Sequence, residues 1–226
     1  MTTYATSERT RTALIDSAGE LFTRYGIDAV STRAIAERAG ENIGSIHYHF
    51  GGKKGLLQAA LDVFFESWED EPLHRVWDKH RDSLNSPHAR EIFLEELVQT
   101  FFDRIYFAGR PWWCAGLLYQ LFTYENDLSD QFIERHVRPH HELLQEVAKH
   151  LHPEFDDEQA FVWSQLLVGP IISLTLMRPM LQSVRGCSVE DPYPQELLLE
   201  MRRQIIGPVV RLAREPAERN ASTAVQ

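Results

Sequence analysis

One short stretch, from Asn42 to Phe50, carries the side chains best suited to bind a partner. Its polar groups come from Asn, Ser, His and Tyr, and it contains no carboxylate, since Glu41 lies just before it. An ordinary solvent-exposed helix carries Glu and Lys pairs, whereas these hydrogen-bonding groups suit phosphates and base edges. The candidate contacts to a nucleic acid are Asn42, Gly44, Ser45, His47, Tyr48 and His49.

Two further features of this region favour an anionic partner. Gly44 and Ser45 have low helix propensity, but they let a helix backbone approach another surface closely. Lys53 and Lys54 follow at the expected start of the next helix, where cations do not offset the helix dipole and an external anion would compensate. Phosphate fits this role best. The alternative interpretation is a pair of packed helices without a ligand.

The elements that position these residues form a helix-turn-helix pattern. Apolar residues at positions 35, 36, 39, 43, 46 and 50 have the spacing of packed helices, and Gly40 is the residue at which the chain reverses. In such a motif the second helix enters a DNA major groove and the first crosses the backbone. A further helix over about residues 7–25 precedes the motif and ends at Gly26.

The stretch from about Thr12 to Leu57 resembles the N-terminal domain of TetR-family (tetracycline-repressor-like) transcriptional regulators. Many fixed residues at fixed spacing carry the resemblance, so it is specific. Most members have Leu-Tyr where this chain has Ile46-His47. The matching motifs are Ala-x-x-Leu-Phe-x-x-x-Gly at 18–26, Ser31-Thr32-Arg33, Ile35-Ala36-x-x-Ala39-Gly40, Tyr48-His49-Phe50 and Lys53-x-x-Leu56.

The resemblance implies roles for individual residues. Thr32 is expected to cap its helix and bind phosphate, and Arg33 to reach a base or a phosphate. Tyr48, His49 and Lys53 are expected to contact the DNA backbone. The residues expected to face the bases are Asn42, Gly44, Ser45 and His47.

The charge of the chain divides unevenly along its length. The whole chain has a net charge of −10, which is unusual for a protein that binds DNA. Residues 1–55 hold seven Lys or Arg and six Asp or Glu, net +1, so the remainder holds 16 and 27, net −11. The predicted DNA-binding end therefore lacks the excess negative charge that would repel phosphate.

The apolar spacing predicts an all-α fold, and the resemblance implies its division into functional parts. We expect a three-helix helix-turn-helix DNA-binding domain over residues 1–55, a larger helical effector-binding and dimerisation domain over 56–215, and a disordered tail over 216–226. The middle segment from Tyr124 to Pro139 also resembles the CerR-like subgroup of the family, so the larger domain is expected to be similar to the one in that subgroup. Beyond Lys53, helices are predicted at about 53–79, 89–107, 112–123, 129–151, 156–180 and 193–214.

Aromatic residues are concentrated in the middle helices, where an effector pocket is expected. Their density suits an apolar or planar small molecule, although aromatic residues at helical spacing also form ordinary core. The pocket candidates are Phe102, Tyr106, Trp112, Trp113, Tyr119, Phe122 and Tyr124.

The last two predicted helices are expected to pair two copies of the chain. In TetR-like regulators they form a four-helix interface, and a homodimer reads both halves of a palindromic operator in double-stranded DNA. The segment Gln159–Met177 has no charged residue, but its polar residues and Pro170 argue against a membrane span. Residues 1–12 contain no apolar signal segment, so a cytoplasmic location without membrane attachment is expected.

Metal binding and catalysis have little support in the sequence. His136 and His140 have the i, i+4 spacing of a chelating pair, but Arg135 and Arg138 disfavour a cation. No nucleophile motif surrounds Cys114, and both cysteines are expected to be buried, reduced thiols. We therefore expect no enzyme, no metal and no cofactor. The resemblance implies a repressor that a small-molecule effector releases from its operator. The alternatives are a helical sensor or interaction protein without specific DNA binding, and a metal-responsive regulator.

Overall fold

The computed structural model describes residues 2–65, 71–123 and 127–214, and helices occupy most of these ranges. No β-strand occurs in the described parts of the chain, so the predicted all-α fold is confirmed. The tail expected over 216–226 lies outside the described residues.

The helices, labelled here in chain order, are joined by short turns and loops. A 3-10 turn (Arg81–Ser83) and a π-helical turn (Ile133–Val137) lie between some of them. The α-helices are α1 (Thr2–Tyr25), α2 (Thr32–Ala39), α3 (Ile43–Phe50), α4 (Lys53–Phe65), α5 (Pro72–His80), α6 (Pro87–Tyr106), α7 (Trp113–Thr123), α8 (Asp127–Phe132), α9 (Arg138–Leu151), α10 (Asp157–Leu176), α11 (Arg178–Val184) and α12 (Gln195–Arg214).

The chain divides into two compact units, each built from separate segments. The first contains α1–α4, α7, α8 and α11, and the second contains α5, α9, α12 and most of α6 and α10. The predicted domain boundaries after residues 55 and 215 stay a prediction. The first unit comprises Met1–Asp70, Tyr106–Val137 and Ser173–Tyr193, and the second comprises Glu71–Ile105, Arg138–Ile172 and Pro194–Gln226.

The core of the first unit is organised around α1. Leu14, Ala18 and Phe22 are fully buried, and their spacing of four places them on one face of the helix. This face packs against α2, α4 and α7. Ile35 of α2 and Ile46 of α3 are also fully buried, so the helix-turn-helix pair is held on α1 by a single apolar layer.

The second unit packs α5, α6, α9 and α10 around its own core. Leu97, Val147 and Leu167 are buried there. The indole Nε1 of Trp77 on α5 donates a hydrogen bond to Glu146 Oε1 on α9 at 3.1 Å. A buried indole N–H usually has such a partner, so this bond orients the ring while its remaining surface packs.

Three predicted helices are interrupted in the structure. A single helix over 53–79 is wrong, because a separate helix begins at Pro72 and Glu71 before it has a left-handed φ of 45°. Proline disfavours α conformation in the preceding residue and has no N–H to continue a helix. The predicted 129–151 helix contains the π-helical turn, and the predicted 156–180 helix is divided at Met177.

One described helix, Asp157–Leu176, is long and apolar enough to cross a membrane by length and composition alone. A third of its most apolar window is buried inside the structure. Trp163 and Leu167 belong to that buried part, so the helix contributes to a protein core, and a single helix of this kind is weak evidence for a membrane span.

Candidate nucleic-acid interface

The first helix of the motif, α2, begins with a side-chain cap. Ser31 has extended backbone angles, and its Oγ accepts a hydrogen bond from the N–H of Ala34 at 3.1 Å. Thr32 is the first helical residue, so the expectation that Thr32 caps the helix is wrong by one position. Thr32 is half-buried and Arg33 is exposed, which leaves the guanidinium of Arg33 accessible to a partner.

The turn between α2 and α3 is fixed by Gly40 and Asn42. Gly40 has a φ of 68°, a conformation that glycine adopts without a steric penalty. The N–H of Glu41 then bonds to the carbonyl of Ala36 at 2.9 Å and closes the end of α2. The Oδ1 of Asn42 accepts a hydrogen bond from the N–H of Gly44 at 2.8 Å and starts α3.

The outer face of α3 presents the residues that the sequence singled out. Ile46 is the buried residue of this helix, and it anchors α3 in the core. Tyr48 is 83% exposed, and its ring meets the ring of His49 edge-on at 5.0 Å between centroids. Asn42, Gly44 and His47 are exposed as well, and Ser45 and His49 are half-buried. One face therefore brings together all the predicted base contacts and the two aromatic backbone contacts.

Two carboxylates of the helix-turn-helix region and of α1 are held by other residues. Thr10 Oγ1 donates a hydrogen bond to Glu41 Oε1 at 2.9 Å, which fixes that carboxylate against α1. Arg38 of α2 forms an ion pair with Glu20 of α1. The contact with Thr10 directs the Glu41 carboxylate, which lies next to Asn42 in the chain, towards α1.

Lys53 lies at the start of α4, as the resemblance implies. Its Nζ donates a long hydrogen bond of 3.3 Å to the carbonyl of Asp28 and lies 5.9 Å from the centroid of the Phe22 ring. The side chain is half-buried. Neither contact neutralises the ammonium charge, so it remains available for an anion.

The structure adds Arg11, which the sequence interpretation missed. The Cζ of this exposed residue lies 5.8 Å from the centroid of the Phe50 ring, at the end of α3. A guanidinium over an aromatic face is a weak but favourable contact. The sequence contains no local signal for it, because the two residues lie on different helices and meet only in the folded domain.

Among the pocket candidates of the first unit, the two tryptophans pack on α1. Trp113 is 1% exposed, and a side chain at Gly19 would overlap its indole ring. Trp112 lies under the guanidinium of Arg24 at 5.5 Å. Arg24 also forms an ion pair with Glu190 in the loop before α12. Both tryptophans therefore join α7 to α1.

The other pocket candidates are found in different surroundings. The hydroxyl of Tyr106 shares a 2.9 Å hydrogen bond with Thr175 Oγ1, and burial raises the pKa of this phenol above its usual value. Tyr119 is about half exposed, and Phe102 is fully buried. The side chain of Phe122 and all of Tyr124 lie outside the described residues. The pocket assignment stays a prediction.

The cysteines differ in their environments. Cys114 is buried, and burial raises its pKa to about 12, so it is an unreactive thiol at neutral pH. Cys187 is only partly buried, so burial of both thiols is not confirmed. In the described part of the chain, no group of three or more His, Cys, Asp or Glu residues is placed to hold a metal ion.

Comparison with known proteins extends these observations. A family model described as bacterial regulatory proteins of the tetR family matches residues 14–60. The HTH-type transcriptional regulator SrpR of Pseudomonas putida is 28% identical over 145 residues, which cover 60% of this chain and 63% of SrpR. The HTH-type transcriptional repressor KstR2 of Rhodococcus jostii is 29% identical over 134 residues, 55% of this chain and 60% of KstR2. The chain thus matches less than two thirds of each of these two relatives.

Solved structures share the fold over most of the chain. The ketosteroid transcriptional regulator KstR2 of Mycobacterium tuberculosis superimposes with a TM-score of 0.60 at 17% identity, covering 89% of this chain and 93% of that one. AibR, solved with isovaleryl coenzyme A and operator DNA, gives a TM-score of 0.60 at 13% identity, covering 88% and 97%. The likeness to the CerR-like subgroup stays a prediction. Residues 14–60 thus match the tetR family of bacterial regulatory proteins, and the chain shares the fold of these solved structures.

Proposed function

We propose that this protein is a DNA-binding transcriptional regulator, a repressor that a small effector releases from a palindromic operator. The observation that carries the proposal is the outer face of α3, where hydrogen-bonding side chains without a carboxylate surround the 83% exposed Tyr48. The names of SrpR and KstR2, both HTH-type regulators, support it. A regulator of this kind acts in the cytoplasm, without a metal or a catalytic site.

We further propose that the protein acts as a homodimer through α10 and α12. Phe161, Val162 and Leu166 on α10 are 49%, 61% and 40% exposed, and Leu199 on α12 is 40% exposed. The opposite face of α10 is buried in the core of the second unit, so these residues form an additional apolar face. A second copy would cover it and would present two recognition helices to the two half-sites of a palindrome.

The DNA contacts can be tested by binding to DNA from upstream of the protein's own gene. We expect parent binding to weaken steeply with salt, and Lys53→Ala to lower the slope of log K against log salt by about 0.9, since one phosphate contact is lost. Tyr48→Ala should weaken binding without loss of stability, because its side chain is exposed.

Tyr25→Ala is a matched control, since Tyr25 is an exposed tyrosine at the last position of α1 and is not among the predicted DNA contacts. It should bind DNA as the parent does. Salt-insensitive binding, or unchanged affinity in both α3–α4 variants, would argue for a helical protein without specific DNA contacts.

A further inference from the structure

Ile43, the first residue of α3, is an apolar side chain at the surface of the helix-turn-helix. The apolar spacing places position 43 among the packed residues of the motif, but Ile43 is 45% exposed, whereas Ile46 three residues later is fully buried. Packing against the other helices therefore does not account for the whole of this side chain, and part of its hydrocarbon surface faces solvent.

The position of Ile43 distinguishes it from other exposed apolar residues. A single exposed apolar side chain is ordinary on a protein surface, and Ile92 of α6 is exposed to nearly the same extent, 44%. In a helix-turn-helix, however, the first turn of the second helix is the part that contacts base edges in the major groove. The exposed surface of Ile43 lies in that turn.

The other groups of this first turn leave room for Ile43 to reach a base. The Oδ1 of Asn42 accepts a hydrogen bond from the N–H of Gly44 at 2.8 Å, so this oxygen is engaged in capping the helix. Gly44 has no side chain, and Thr10 holds the Glu41 carboxylate towards α1. Of the three exposed residues that begin the helix, 42–44, Ile43 has the largest side chain.

An apolar side chain can distinguish bases in the major groove through one group. Thymine presents a C5-methyl group there, whereas the edges of adenine, guanine and cytosine present hydrogen-bond donors and acceptors. Contact with the methyl group removes hydrocarbon surface of both partners from water. Contact with a donor or an acceptor would instead leave that polar group without a partner. An isoleucine in this turn therefore favours thymine.

We propose that Ile43 is a specificity-determining residue that contacts the C5-methyl group of a thymine, once in each half-site of the operator. The contact adds a base preference to the polar contacts predicted for α3. This inference rests on the proposed function, since it assigns one base in the DNA that the proposed regulator binds.

The test uses a DNA duplex that the parent protein itself selects from a random-sequence pool. Each thymine of the selected half-site is then replaced in turn by uracil, which pairs with adenine in the same way and lacks only the methyl group. At one thymine position, we expect the replacement in a single half-site to weaken binding of the parent by about 4-fold, the value for burial of one methyl group.

Variants at position 43 connect this effect to the isoleucine. Ile43→Ala should bind the thymine and uracil duplexes alike at that position, whereas Ile43→Val keeps a branched hydrocarbon and should still prefer thymine. Ile92→Ala is the matched control, because it truncates an isoleucine of nearly equal exposure on α6, and it should show the full uracil effect. The ratio of the two affinities does not depend on the folded fraction, so a loss of stability in Ile43→Ala would not obscure the result.

The inference is overturned if uracil has no effect at any thymine of the selected half-site, or if Ile43→Ala responds to uracil as the parent does. In both cases the parent still binds a selected sequence, so the proposed function stands. A parent protein that enriches no sequence from the pool overturns the proposed function, and the assignment of Ile43 with it.

Discussion

Trp113, at the start of α7, lies so close to Gly19 of α1 that a side chain at position 19 would overlap the indole ring. A second contact fixes the same place, since Thr23 Oγ1 donates a hydrogen bond to the carbonyl of Trp113 at 2.9 Å. Trp113 lies 94 positions after Gly19 and 90 positions after Thr23 in the sequence. Together they attach α7 to the helix that supports the DNA-binding motif.

Replacing Gly19 should loosen this attachment. We expect Gly19→Ala to lower the free energy of unfolding by about 1–3 kcal/mol, the usual cost of overpacking a core, as measured by urea denaturation. Gly207→Ala is the control, because a Cβ there has no neighbour within 4 Å and alanine favours the helix by up to about 1 kcal/mol. Equal effects of the two substitutions would refute the close packing of Trp113.

Asp16 should make stability depend on pH in the acidic range. Burial raises the pKa of its carboxyl above the ordinary value of 3.8, although a side-chain hydrogen bond with Trp113 acts in the opposite direction. The folded state therefore binds the proton more tightly, and stability falls as the pH rises from 3.8 through the folded pKa. Asp16→Asn removes this loss.

The measurement for Asp16 is the difference in unfolding free energy between Asp16→Asn and the parent at several pH values. This difference should increase in favour of the variant from about pH 4 upwards and become constant above the folded pKa. A difference that decreases over this range would show that the carboxyl is stabilised in its charged form.

Ser31 and Thr32 should separate stability from DNA binding. Ser31→Ala removes the cap of α2 and should cost about 0.5–2 kcal/mol of stability, measured by thermal or urea unfolding. Thr32→Ala keeps the Ser31 cap, so its stability should be close to that of the parent while its DNA affinity falls. A larger loss of stability in Thr32→Ala than in Ser31→Ala would show that Thr32, and not Ser31, caps α2.

Arg11 should contribute one phosphate contact. Because its guanidinium lies beside Phe50 at the end of α3, Arg11→Gln should lower the slope of log K against log salt by about 0.9. Arg9→Gln is the control, because it removes the same charge. Arg9 lies two residues before Arg11 and therefore on another side of α1. If both substitutions lower the slope by the same amount, the effect is general charge and not a specific contact.

A charge on the exposed face of α10 should prevent pairing of two copies. We expect Phe161→Glu to convert a dimer to a monomer in light scattering and to weaken operator binding, because a buried unpaired carboxylate is unfavourable. Val184→Glu places the same group at an 80% exposed apolar position outside α10 and α12 and should stay dimeric. A monomeric parent protein would contradict the dimer proposal directly.

The helix-turn-helix was predictable because its determinants are local. Gly40, Asn42 and the buried Ile35 and Ile46 lie within a dozen residues, so spacing and turn chemistry specify the motif. Pro72 was a local signal for the end of a helix, but the apolar pattern on both sides of it favoured one continuous helix. In that segment the backbone restriction imposed by proline outweighs periodicity.

The environments of the aromatic residues were not predictable in the same way. Trp113 has the type and spacing of a pocket residue, yet its surroundings depend on Gly19, which is distant in sequence and carries no side chain to signal the contact. The small gap where α5, α6, α9 and α10 meet is lined by Leu, Val and Phe residues that have the pattern of ordinary core. Only the packing of four separate helices shows which residues line it.

The residues that hold α3, the proposed recognition helix, are separate from the residues on its outer face. Asn42 defines its first turn, Gly51 ends it with a left-handed φ of 70°, and Ile46 attaches it to the core. The outward residues Gly44, His47 and Tyr48 take no part in that framework. Under the proposed function, exchanging those positions would change the DNA sequence that α3 reads, while the domain keeps its folding determinants unchanged.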